Sequence, residues 1–238
     1  MFYDQTDYAI RFEWGLRGLE ALAPTSDVII IVDVLSFSTS VEIATARGAK
    51  IFPYAGPGDE VTAYAQAKEA LLAGKRPGEG DLSLSPTSLL VIETGARLVL
   101  PSPNGSTLSL AAAGKAITIC GCLRNAEAVA ARAQNVGQSI AVIACGERWG
   151  DFSLRPSFED MVGAGAIISY LGGNWSPEAG AAVAVFEGAR NRLQGALETC
   201  ASGKELIEKG LAGDVALAAQ LNRSQTVPIL QDDCYIGV

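Results

Sequence analysis

The chain has 238 residues, 49% apolar and 18% charged, with a formal net charge of −8. That length holds a sizeable core, and the composition is globular rather than disordered. The acidic balance argues against a nucleic-acid partner, because phosphate backbones are met by clustered Lys and Arg.

No apolar run approaches the ~18 residues of a membrane span, and the sequence opens without a basic segment followed by an apolar one. The expectation is a cytoplasmic protein with no membrane partner. A homo-oligomer is left open.

In chain order, the first strong element is the near-continuously apolar run 28–34, the pattern of a strand buried on both faces. It closes on Asp33 and a hydroxyl-rich turn, Ser36, Ser38, Thr39 and Ser40, which opens a helix over 40–47. Further strands are predicted at 50–55, 97–101, 116–122 and 139–145, with helices at 61–73, 106–113, 125–134 and 158–171. Helical patterning then dominates at 177–197 and 203–221, before a short terminal segment. This alternation predicts one α/β domain over residues 1–238, three-layer α/β/α with a mostly parallel sheet in which mixed strands are allowed. Residues 74–86 and 146–157 read as long loops, which in compact domains are often functional.

There is no histidine in the chain. That excludes Ser-His-Asp and Cys-His triads, phosphohistidine chemistry and His-ligated zinc. The cysteines, Cys120, Cys122, Cys145, Cys200 and Cys234, are odd in number and scattered, unlike a secreted disulfide framework. Cys120 and Cys122 read as small hydrophobes on a buried strand rather than a metal or redox pair.

Open parallel sheets bind ligands beyond the carboxyl ends of their strands. Those ends carry Asp33 with its hydroxyl turn, then 102–106 (SPNGS), 123–127 (LRNAE), and Glu147 and Arg148 leading to Arg155, Glu159 and Asp160. Helix N-termini at these points favour an oxyanion, and neighbouring carboxylates suit Mg²⁺. Taken singly, Ser38, Thr39 and Ser40 read as a helix cap, Asn104-Gly105 as a turn, Asn125 as an N-cap, and Glu159-Asp160 as dipole partners. Asp33 is different, since a carboxylate closing an apolar strand needs hydrogen bonds or a cation. The convergence points to a small anionic substrate.

Familiar phosphate motifs are missing: there is neither a P-loop nor a Gly-x-Gly-x-x-Gly after a strand. The arginine that a cysteine phosphatase needs is replaced by Asp151 after Cys145 and by Ala128 after Cys122, and Asp33-Val34-Leu35 lacks a second aspartate.

The stretches VIIIVDVLSFSTSV, PSPNGS, GCLRNAEAVA, IACGER leading to SFEDMVGAGAII, and SGKELIEKGLAGDV follow in an order that resembles the 2-phosphosulfolactate phosphatase family. The similarity runs from Val28 to Pro228. It implies an α/β, Mg²⁺-dependent acid phosphatase that releases phosphate and sulfolactate from 2-phosphosulfolactate, a step toward coenzyme M in methanogens. It points to Asp33, Asn104, Gly105, Asn125, Glu159, Asp160 and Asp214. The chain departs from the family pattern at Ser36, where an anion-binding Arg is common, at Leu84 in an Asn-Ser-Pro element, at Ser106 for Thr, and at Ser202 for His.

On this reading Asp33 with Glu159 or Asp160 holds Mg²⁺, and Ser36, Ser38, Thr39, Ser40, Asn104, Gly105, Ser106 and Asn125 cradle the phosphate. Arg124 or Arg148 steadies the anionic tail, with Arg155 as a further candidate. Asp214 or Glu147 protonates the leaving oxygen. Attack by water and a phosphorylated carboxylate both remain open. Two other readings are a non-catalytic anion sensor or carrier, and a phosphatase for another small phosphorylated acid.

Overall fold

The computed structural model describes residues 2–56, 58–74 and 81–238. The chain starts with β1 (Ile10–Trp14), α1 (Gly15–Leu22), β2 (Val28–Val32), α2 (Phe37–Ala46) and β3 (Lys50–Tyr54). Then come α3 (Val61–Ala67), β4 (Leu71–Leu72), β5 (Arg97–Pro101), α4 (Gly105–Ala112), β6 (Ile117–Gly121) and α5 (Ala126–Val136). Next are β7 (Ile140–Ala144), a small hairpin β8 (Glu147–Arg148) and β9 (Leu154–Arg155), and α6 (Phe158–Ser169). The chain ends with α7 (Pro177–Ala189), α8 (Leu193–Thr199), α9 (Ala201–Glu208), α10 (Ala212–Ala218), β10 (Pro228–Gln231) and β11 (Cys234–Gly237).

Among the described residues the main sheet has nine strands in the order β1-β7-β2-β6-β10-β11-β3-β5-β4. β1, β7, β2 and β6 are mutually parallel, as are β3, β5 and β4. The antiparallel hairpin β10–β11 stitches the two groups together, through Ile229 against Ile119 and Tyr235 against Ile51. The sheet is therefore mixed but mostly parallel.

Every residue of β2 is fully buried, and the two-residue period of a strand sends its side chains to opposite layers. Val28, Ile30 and Val32 pack with α5, α6 and α7, through Val129, Ile167 and Phe186. Ile29 and Ile31 pack with α1 and α4, through Leu19, Leu22 and Leu108. That is the three-layer arrangement, and it explains why a near-continuous apolar run was the right signal. At the α6–α7 crossing, a Cβ on Gly165 would lie 2.0 Å from the carbonyl oxygen of Ala182, so the two backbones touch only because residue 165 has no side chain.

Several boundaries differ from expectation. The helix over 61–73 stops at Ala67; Glu69 adopts a φ of +49° and Leu71–Leu72 pairs with β5 as an edge strand. The helix over 203–221 is two helices, broken at Gly210 with a φ of +78°, the usual glycine stop signal. The one over 177–197 is likewise α7 and α8. β1 and the terminal hairpin were not anticipated. In β1 polar Arg11 and Glu13 alternate with apolar residues, and Arg11 is buried by bonds to Thr25, Ser26 and Ser139. Of the loop expected at 74–86, residues 75–80 lie outside the described residues. No helix among the described residues is long and apolar enough to cross a membrane.

Candidate active site

α2 is the axis of the site. It is buried from Phe37 to Thr45 although it carries Ser38, Thr39, Ser40, Glu42 and Thr45. A polar helix can be buried only if its side chains find partners. Ser38 accepts from Asp33 N at 2.8 Å and donates to the Ile31 carbonyl at 3.3 Å. Thr39 donates to the Val34 carbonyl and Ser40 to the Leu84 carbonyl, each at 2.8 Å. These hydroxyls lash the end of β2 and the 84–88 segment to the helix; they are spent on the backbone rather than held free for a ligand. Ser106 is spent the same way, on the Leu100 carbonyl at 2.8 Å.

Asp33 follows the last residue of β2. Its Oδ1 accepts from Phe37 N at 3.2 Å and its Oδ2 from Gly105 N at 3.0 Å, so it joins the carboxyl ends of β2 and β5. Gly105 has no room for a side chain, since a Cβ there would sit 2.2 Å from the buried Phe37 ring. Ser102, part of the strand-end stretch 102–106 but given no role of its own from the sequence, also accepts from Gly105 N, at 3.1 Å.

Asp160, in the first turn of α6, accepts from Val34 N at 2.7 Å and Gly146 N at 2.8 Å, joining the ends of β2 and β7. Gly146 has a φ of +67°, which a glycine adopts without strain. Ser157, the residue before α6, lies beside this carboxylate and helps hold its charge. The Ser-x-x-Asp spacing at a helix start is the signal that would have found it.

Asn104 lies between Glu147, to which its amide donates at 3.1 Å, and Arg148, whose Nε donates to its carbonyl at 3.3 Å. Separate loops thus bring Asp33, Glu147, Asp160, Asn104 and Gly105 to one rim, with Glu159 close enough to act on the charges of Asp33, Glu147 and Asp160.

The electrostatics of this rim are unbalanced. Burial, with Glu147 and Glu159 adding repulsion, pushes the Asp33 carboxyl up to about 7. Burial, Asp33 and Glu159 push Asp160 well above the usual carboxylate range, and burial with Glu159 raises Glu147. Among the described residues none of these four carboxylates forms an ion pair with Lys or Arg. Buried Cys145 lies next to them, but burial raises its thiol, which keeps it protonated. Cys120 and Cys122 are also buried with raised pKa values, as expected for small hydrophobes.

Three residues expected at the site have other partners. Arg124 binds Glu42 at 2.6 Å and also Gln220, an ion pair beside α2. The Asn125 side chain accepts from Cys122 N at 2.9 Å and donates to the Thr226 carbonyl at 3.0 Å, so it ties β6 to the chain before β10 instead of capping α5. Asp214 takes the Ser85 and Thr87 hydroxyls, each at 2.6 Å, on one oxygen. Arg148 remains at the rim, and Arg155 stacks on Trp149 with 5.7 Å to the ring centre.

A family model described as 2-phosphosulpholactate phosphatase matches residues 19–233. A probable 2-phosphosulfolactate phosphatase of Thermus thermophilus is 30% identical, over 86% of this chain and 88% of its own. A probable one of Carboxydothermus hydrogenoformans is 32% identical over 84% of each chain. The 2-phosphosulfolactate phosphatase of Methanothermobacter thermautotrophicus is 30% identical, over 87% of this chain and 88% of its own. With the match extending across nearly every element that builds the rim, the chain belongs to the 2-phosphosulpholactate phosphatase family.

Proposed function

We propose that this protein is a Mg²⁺-dependent phosphatase that hydrolyses 2-phosphosulfolactate to sulfolactate and phosphate. The observation that carries the reading is that Asp33 and Asp160, both buried and each held by two backbone N–H groups at strand ends, stand at one rim with no Lys or Arg paired to them among the described residues. Such a group is unfavourable by itself and repels an anionic substrate, so it calls for a cation.

The donor set fits Mg²⁺. All its atoms are hard oxygens, and Mg²⁺ is commonly held by one or two carboxylates plus water and substrate phosphate. Among the described residues no three acidic or thiol side chains gather closely enough to hold an ion by themselves, so Mg²⁺ here would need water or substrate oxygens to complete its shell. Asp33 with Glu159 or Asp160 would hold the ion. When bound it supplies positive charge to a phosphoryl oxygen and lowers the pKa of a coordinated water.

The chain's own groups do the rest. Phe37 N and Gly105 N fix the Asp33 carboxylate, while Asp160 fixes the turns at Val34 and Gly146. Asn104, oriented by Glu147 and Arg148, offers its amide at the mouth of the rim. Glu147 has a raised pKa and keeps its proton to higher pH than an ordinary carboxyl, as a general acid for the leaving oxygen must. Glu147 stands at the rim beside Asn104, whereas Asp214 is bonded through Oδ1 to Ser85 and Thr87, so Glu147 is the better placed for that role.

The test is phosphate release from 2-phosphosulfolactate after EDTA treatment, with and without added Mg²⁺. Release that depends on Mg²⁺ is expected; binding without turnover under both conditions would favour a sensor instead.

A second outcome concerns pH. A carboxyl whose folded pKa lies above its unfolded value binds its proton more tightly when folded, so stability falls as pH rises between the two. Asp33, lifted from 3.8 to about 7, contributes this way across that window. In EDTA, the melting temperature is expected to be lower at pH 8 than at pH 5.5, with a flatter slope in Asp33→Asn. Added Mg²⁺ should raise it at pH 8 far more than at pH 5.5. An equal slope in both proteins would remove Asp33 from the explanation.

A further inference from the structure

We propose that an apolar pocket beside the carboxylate rim receives the side chain of a phosphorylated acid. It gives the protein a second class of substrate, phosphate monoesters of 2-hydroxy acids with an aryl or branched alkyl side chain. The inference rests on the phosphatase reading and adds what lies next to the reacting group.

The pocket lies beyond the carboxyl ends of β3, β5 and β4, three neighbouring parallel strands. Its volume is about 740 Å³, and Tyr54, Val61, Leu72, Leu84, Pro101 and Ser102 are among the residues that line it. The backbone holds these walls. Ser102 N donates to the Tyr54 carbonyl at 3.4 Å, Ala73 N to the Val99 carbonyl at 2.9 Å, and Gly74 N to the Leu82 carbonyl at 2.8 Å. The Tyr54 ring is backed by Tyr64, with 5.1 Å between ring centres.

Two walls of the pocket are also walls of the active site. Ser102 Oγ accepts from Gly105 N at 3.1 Å, and the same N–H serves Asp33 Oδ2 at 3.0 Å. The pocket lining and the Asp33 carboxylate therefore meet at one donor. The carbonyl of Pro103, the next lining residue, accepts from Arg148 at 3.2 Å. On the other side, the Leu84 carbonyl accepts from Ser40 in the first turn of α2 at 2.8 Å. A molecule with its phosphoryl group at the rim reaches the pocket by crossing the single turn at 102–104.

The lining decides what fits. Among the described residues it holds no Lys, Arg, Asp or Glu. A sulfonate or second carboxylate placed there gives up its water without gaining a partner, which is costly, whereas an apolar group gains from leaving water. The anionic side chain of 2-phosphosulfolactate finds no cation in this pocket, so the pocket serves other acids. An apolar cavity of ~150 Å³ already takes a benzene ring, and Tyr54 offers an aromatic surface for one to pack against.

The experiment measures phosphate release from 2-phospholactate and 2-phospho-3-phenyllactate, which differ by one phenyl ring. In wild type kcat/KM for the phenyl ester is expected to be about tenfold the higher. Leu72→Trp fills the pocket from β4, where residue 72 is 38% exposed and has space for a larger side chain. The preference for the phenyl ester should then fall about tenfold, through a higher KM for that ester. Val61→Trp, from the α3 side, should act in the same direction, with circular dichroism confirming the fold of each variant. A wild-type ratio near one overturns the proposal, as does a preference that the folded variants retain. So does a variant that changes the sedimentation of the protein but not the ratio, which would make the pocket a contact between copies of the chain. Should wild type release no phosphate from either ester or from 2-phosphosulfolactate, the phosphatase reading fails by itself. Calorimetry with the two esters then decides the pocket: about tenfold tighter binding of the phenyl ester, lost in Leu72→Trp, supports it, and equal binding refutes it.

Discussion

Asp33→Asn is expected to give a folded protein whose release of phosphate from 2-phosphosulfolactate falls on the order of a thousandfold. The fold should survive because two changes oppose each other. An amide has one acceptor oxygen where the carboxylate has two, so either Phe37 N or Gly105 N loses its partner. That loss costs about 1–3 kcal/mol. Against it, the substitution removes a buried charge that Glu147 and Glu159 repel. Turnover has no such compensation, since an amide neither holds Mg²⁺ well nor offsets its charge. Undiminished turnover in a variant with wild-type circular dichroism would sink the role given to Asp33.

Arg124→Ala is expected to destabilise the protein by about 3–5 kcal/mol while leaving KM for 2-phosphosulfolactate nearly unchanged. Arg124 is the ionic partner of Glu42 at 2.6 Å, with side chains 12% and 1% exposed. The second Glu42 oxygen has no partner, so removing the guanidinium strands a carboxylate on the buried flank of α2. Glu42→Gln added to Arg124→Ala should recover part of the loss, since the stranded charge, more than the missing bond, accounts for most of it. Urea midpoints of the single and double variants measure this. A raised KM with unchanged stability would return Arg124 to the substrate.

The sequence reading and the structure agree most closely where a local pattern has one physical meaning. The apolar runs that became β2 and β7 read as strands buried on both faces, because neither water nor a helix suits so many β-branched side chains in so short a run. Asp33 stood out on the same grounds, as an ionisable group closing such a run. Elements that mix polar and apolar residues were harder to read. β1 escaped notice because Arg11 is buried through partners at positions 25, 26 and 139, and no local pattern announces them.

By itself the sequence determined the α/β layering, the exclusion of histidine chemistry and the family, because burial periodicity, composition and motif order are properties of the chain taken in order. Only the tertiary structure decided which polar residues are free to act. Arg124 and Asn125 look as reactive on paper as Asp33 and Glu147, yet partners distant in sequence, Glu42 and Thr226, occupy them. A hydrogen bond or a like-charge repulsion depends on separations of a few ångströms between residues far apart in sequence, and those distances exist only once the sheet has closed.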